Sequence, residues 1–88
     1  AFDKNIGTSE TIIYAIITKY SDNETNPLKA TLNFYKHWTN LDKTTIIRTL
    51  KNLVEKGYIN KHEEVINNTK TCGYSSNYYK LLNEKNNG

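Results

Sequence analysis

Apolar side chains at Ile12, Ile13, Ile16, Ile17 and Tyr20 follow the i, i+1, i+4, i+5, i+8 spacing of a helical stripe. Thr8 or Ser9 stands ahead of the stripe as an N-cap, with Glu10 favourably placed in the first turn. A β-branched run of this kind also suits a strand, but the cap and the length favour a helix ending near Tyr20. The polar run SDNETN at 21–26 interrupts the pattern as a loop. Asn26 and Pro27 then pair a cap with a proline at the first helical position, and Leu28, Leu32, Tyr35 and Trp38 carry a second stripe to about Thr39. The third stripe is the most regular: Ile46, Ile47, Leu50, Leu53 and Val54, within a helix over about 42–56. Asp42 is its N-cap, Leu41 is placed to pack on Ile46 as a hydrophobic staple, and Gly57 ends it in the left-handed conformation. Its opposite face carries Thr44, Thr45, Arg48, Lys51 and Asn52. Past Gly57 the period becomes two, predicting a strand over 58–66, a turn at Asn67 and Asn68, and a return strand through Tyr79 and Leu81.

Only Thr39, Asn40 and Leu41 separate the second and third helices, and Asn40 tolerates a left-handed backbone at modest cost. So short a connection makes the two helices cross steeply, as a helix-turn-helix. Three helices followed by a hairpin give an α+β, mainly α, winged helix-turn-helix, one domain over residues 1–88. Residues 1–7 read as a lead whose Phe2 and Ile6 are free to tuck against the domain, and 83–88 as a polar tail or the start of a linker. That tail, and a first residue that is Ala1 rather than Met, fit a processed chain or a piece of a multidomain protein.

With 88 residues, 36% of them hydrophobic, the chain can build a single core with few apolar residues to spare. It has no apolar run of the roughly 18–20 residues that span a bilayer and no signal-peptide pattern, so no membrane partner is expected. Cys72, a single cysteine, forms no internal disulfide, which fits a reducing cytoplasm. Charge changes the picture more than composition does. Between Pro27 and Lys56 six basic residues face two acidic ones, a balance of +4, whereas the rest of the chain carries six basic and seven acidic groups, a balance of −1. The net positive charge thus lies around the third helix, where a polyanion would be met.

The run WTNLDKTTIIRTLKNLVEKGYI resembles the T-G-L-S-x-x-T-(apolar)-x-R-x-L-x-x-L-x-x-x-G-(aromatic or aliphatic)-I signature of winged helix DNA-binding domains. It is most similar to those at the front of phage and plasmid replication initiators, including phage replisome organisers. SSNYYKL is similar to the N-x-Y-x-L return strand of their wings, and YAIITKYSDN to their first helix and the loop after it, so the likeness covers roughly residues 9–82. The resemblance implies double-stranded DNA as partner, with replication proteins met through a further C-terminal region, and a monomer or weak dimer because no dimerisation helix follows Leu82. By position, Lys43, Thr44 and Arg48 match the residues that address the major groove or its flanking phosphates, and Thr45 matches a threonine that often bonds a phosphate. Asn40 stands where the turn glycine is usual, and Lys36 where a small residue lets the second and third helices approach. Either the second helix is shifted or the Lys36 stem lies along the surface with its amine in solvent.

The residue types suit that role. Arg48 can grip guanine O6 and N7 with two hydrogen bonds, Asn52 can pair with adenine, and Lys and Thr supply phosphate contacts. For Arg48 the competing reading is a structural salt bridge, but its helical carboxylates lie off the i+4 spacing. Lys51 and Asn52 divide between DNA contact and a solvated helix face. Lys61, His62 and Lys70 stand near the wing tip beside Glu63 and Glu64, and Lys70 is the wing's best DNA candidate. Tyr35, Trp38 and Tyr79 read as core, Tyr74 and Tyr78 as freer. Catalysis finds no constellation: Cys72, His62, Glu63 and Glu64 lack paired metal-ligand spacing, no serine sits in a nucleophile elbow, and four glycines build no phosphate loop. No enzyme activity, metal or cofactor is therefore expected. A transcription regulator, or a winged helix used for protein contact, are the alternative functions.

Overall fold

The structure is a computed structural model, and it describes residues 7–21 and 26–78. The elements follow in the order α1 (Thr8–Tyr20), α2 (Leu32–Thr39), α3 (Lys43–Glu55), β1 (Ile59–Ile66) and β2 (Thr69–Ser76). β1 and β2 form an antiparallel hairpin in which Ile59 pairs with Ser76 and Ile66 with Thr69. The core draws Ile13, Tyr14 and Ile17 from α1, Tyr35 from α2, Ile46, Leu50 and Leu53 from α3, and Ile59 from β1. Three helices and a wing are thus present as the hydrophobic periods predict, in an α+β winged helix-turn-helix. β2 ends at Ser76, where the Asn77 side chain turns to Gly57 and Asn60, so the return strand stops short of the predicted Tyr79 and Leu81; residues from Tyr79 on, with the lead 1–6 and the tail 83–88, lie outside the described residues.

The caps differ from expectation at both early helices. Thr8 is already helical; Gly7 is the extended N-cap residue of α1, and its N–H donates to the Glu10 carboxylate at 3.1 Å. Glu10 also accepts from the Lys56 ammonium at 2.8 Å, so this contact joins the first turn of α1 to the last turn of α3 and decides where α1 starts. Burial alone would push the Glu10 carboxyl up, but Lys56 and the Gly7 N–H outweigh it and hold its pKa below the usual carboxylate value. In the stripe itself Ile13 and Ile17 are fully buried, while Ile12 and Tyr20 lie at its exposed margins.

Asn26 and Pro27 do not open α2. Residues 26–30 are not helical, and Leu28 exchanges two backbone hydrogen bonds with Tyr74, at 2.7 and 3.0 Å, as an isolated bridge beside β2. Those bonds, with Leu28 packed against the core, outweigh the local cap preference. Thr31 then caps α2, its Oγ1 accepting from the Phe34 N–H at 3.2 Å. Gly73 makes this approach possible: a Cβ there would lie 3.2 Å from Pro27 Cβ, 3.1 Å from Lys29 Cγ and 3.3 Å from the Leu28 carbonyl oxygen.

The turn between α2 and α3 is Asn40, Leu41 and Asp42, with Asn40 left-handed at φ 58° as expected. Asp42 holds the N-cap position of α3, but its carboxylate accepts from the Thr45 hydroxyl rather than from a backbone N–H. At the other end Gly57 has φ +81°, its N–H donates to the Val54 carbonyl and the Tyr58 N–H to that of Leu53, a Schellman closure. Asn77 locks the wing to this corner by donating its side-chain N–H to the Gly57 carbonyl at 2.9 Å and bonding Asn60 across the strands. Asn67 and Asn68, both at positive φ, make the tight turn at the tip.

Two outcomes test this account. Gly73→Ala should destabilise the fold by about 1–3 kcal/mol in chemical denaturation, because proline and backbone must yield to the new methyl. Glu10→Gln should cost about 1–2 kcal/mol at neutral pH. Since the folded pKa of Glu10 lies below its unfolded value of about 4.3, its contribution is full above that value and fades as pH falls through the folded pKa. The difference in melting temperature between wild type and Glu10→Gln should therefore narrow as the solution is acidified below about pH 4.

Candidate nucleic-acid interface

An α-helix advances about 100° per residue, so packing on one side dictates what is displayed on the other. Ile46, Thr49, Leu50 and Leu53 turn α3 inward, with Thr49 Oγ1 donating to Ser9 Oγ at 3.3 Å. The outward arc then carries Lys43, Thr44, Ile47, Arg48, Lys51 and Glu55, all exposed. Four residues predicted from sequence to meet DNA, Lys43, Thr44, Arg48 and Lys51, are gathered there on one face. Thr45 and Asn52 sit at its edge, half-buried. The Thr45 hydroxyl donates to Asp42, holding that carboxyl below its usual value, and Asn52 faces Glu10 and helps stabilise its charge.

Ile47 does not belong to the core stripe. It is 55% exposed, because Thr49 takes the inward position and rotates the buried seam away from it. Trp38, also expected in the core, is 55% exposed near the end of α2, where it lies edge-on to His37 and tilted against Phe34. The eight-residue α2 points Tyr35 inward instead, and Tyr35 is its one fully buried side chain. Its hydroxyl has no hydrogen-bond partner, and burial raises its pKa well above the ordinary phenol value. Tyr74, expected to be freer, packs against the same core. Burial and the neighbouring Cys72 push its pKa up to about 12. Lys36 is exposed on α2.

Among the described residues, Lys43, Arg48 and Lys51 on α3 form no salt bridge. Lys19 and Lys36 form none either, whereas Lys56 pairs with Glu10, Lys29 with Glu64 at 2.9 Å, and both Lys61 and Lys70 with Glu63 at 3.2 and 2.9 Å. Lys70, the predicted wing contact, is thus held across the hairpin, and the pairing raises its pKa while lowering that of Glu63. His62 is not at the wing tip; it pairs opposite Gly73 and hydrogen-bonds Ser75 Oγ at 2.8 Å. Strand alternation puts Glu63 and Cys72 on one face of the wing and His62 and Glu64 on the other, so these four side chains do not converge on a metal. Among the described residues no three His, Cys, Asp or Glu side chains cluster for one.

A three-residue turn between two helices, the second of them with an exposed basic face, and a hairpin beyond it are the parts of one known module. The family model of the helix-turn-helix domain matches residues 4–59. The chain belongs to that family. Neither the curated proteins nor the solved structures contain a significant match. The helix-turn-helix fold points to DNA as its partner, and among the described residues no helix is long and apolar enough to cross a membrane. Sequence reasoning missed Ile47 on the displayed face, although the inward Thr49 was a signal available in the periodicity. It also missed Asn77, whose position in SSNYYKL is explained by the clamp on Gly57.

Glu63 holds the wing's two lysines, so Glu63→Gln should release them. We expect duplex binding to strengthen roughly two- to fivefold at low salt, with a steeper salt dependence. Titration by fluorescence anisotropy at several ionic strengths measures both.

Proposed function

We propose that this helix-turn-helix domain reads double-stranded DNA by laying α3 in the major groove, and that it serves origin recognition in phage or plasmid replication initiation. The observation that carries the DNA reading is the set of unpaired cations on one outward arc of α3, set against lysines that are neutralised on the wing and at the α1 junction. A helix of about 10–12 Å diameter fits a groove about 12 Å wide. In that pose Arg48 addresses a guanine edge, while Lys43, Thr44 and Lys51 contact phosphates or neighbouring bases. Thr45 and Asn52 flank the contact and hold its supporting network. The origin role rests on the likeness of WTNLDKTTIIRTLKNLVEKGYI and SSNYYKL to initiator domains, and a transcriptional regulator would use the same face.

Selection from a random 30-base-pair duplex pool, followed by sequencing of the bound fraction, tests both levels. Binding that weakens as salt rises and enriches one motif supports a specific reader, and repeats of that motif in a replication origin support the initiator role. Lys43→Ala combined with Arg48→Ala should weaken binding to the selected site by roughly 100-fold and reduce the salt slope by about 1–2. Unchanged binding in that double variant would remove α3 as the contact, and no binding by wild type at low salt would favour a protein partner.

A further inference from the structure

Ile47 is the one apolar side chain on the outward arc of α3. At about 100° per residue it lies about 40° from Lys43 on one side and about 40° from Lys51 on the other. A single exposed apolar residue is ordinarily unremarkable. This one is 55% exposed between two cations without salt bridges, on the face that the duplex reading assigns to the groove. Whatever covers it must satisfy flanking positive charge and still present an apolar spot. In the major groove each base pair offers donors and acceptors, and of the four bases only thymine adds an apolar group, its 5-methyl.

We propose that Ile47 is a specificity-determining residue that packs against the 5-methyl of a thymine in the target site. The proposal rests on the duplex reading above. It gives the flanking side chains a division of labour: Lys43 and Lys51 fix the register of the helix on the phosphates, and Ile47 discriminates a T·A pair from the others at one position. The branched Ile side chain is stiff at χ1, so its methyl groups are presented with little entropy left to lose on contact.

The test uses the full 88-residue chain and the duplex selected from the random pool, in which each thymine is replaced in turn by deoxyuridine. That exchange deletes the methyl and leaves every hydrogen-bonding group in place. Wild type is expected to lose about three- to tenfold in affinity at one thymine position and little at the others. Ile47→Ala should lose a similar factor on the unmodified duplex, become indifferent to deoxyuridine at that position, and keep its salt slope, since no cation is removed. Ile47→Val should fall between the two. Because Ile47 is exposed, all three proteins should share one unfolding midpoint. Wild-type indifference to deoxyuridine at every position, or an Ile47→Ala variant with unchanged deoxyuridine sensitivity, would overturn the assignment while leaving duplex binding intact. A wild type that binds no duplex at any salt concentration would instead remove the duplex reading, and this assignment with it.

Discussion

Burial of one edge of α3 is the constraint on which the rest of this domain depends. Ile46, Leu50 and Leu53 are among only eight buried hydrophobic residues in the described core, so α3 has no freedom to rotate without opening the centre of the molecule. Fixing that edge fixes the opposite one. The left-handed Asn40 sets the helix's entry, and the Gly57 closure sets its exit. The Glu10–Lys56 contact then ties its last turn to the start of α1. The outward arc is held from three points by groups that do not themselves lie on it.

Electrostatics follows the same division. Lys56, Lys29, Lys61 and Lys70 have carboxylates within 3.2 Å; the Lys56 and Lys29 pairs join segments distant in sequence, Lys70 reaches Glu63 across the hairpin, and Lys61 meets Glu63 along its own strand. The exposed pairs of Lys29, Lys61 and Lys70 add little to stability, but they cancel field where they sit. On α3, by contrast, Lys43, Arg48 and Lys51 stand together outside any salt bridge. A net charge of +3 therefore understates the local field that a polyanion approaching that helix would meet.

Legibility in the sequence tracked how local each cause was. Three helices, the Asn40 turn, the Gly57 stop and the Asn67–Asn68 turn each rest on residues within a few positions of one another, and all were readable. The start of α2 was not, because Asn26–Pro27 is a sound local cap signal that loses to Leu28 pairing with Tyr74, 46 residues away. Nor was the start of α1, which is drawn to Gly7 by Glu10 answering to Lys56. On the displayed face, Lys43, Thr44, Arg48 and Lys51 were legible as the polar side of a strong stripe. Ile47 and Trp38 were misassigned because hydrophobicity alone does not say which edge of a stripe a short helix can afford to bury, and the pairing of Lys70 by Glu63 depends on hairpin register.

A wing whose lysines are paired and an α3 with three cations outside any salt bridge bear on how affinity for DNA would be built. Each phosphate neutralised contributes about 0.9 to the salt slope, so an α3-only contact has a shallow slope and modest sequence-independent affinity. Binding tight enough to select a site must then draw on base-edge contacts from the few side chains on the arc, or on several copies bound side by side. Both routes shift weight from charge to fit, which is where a rigid, apolar Ile47 on an otherwise polar face matters most.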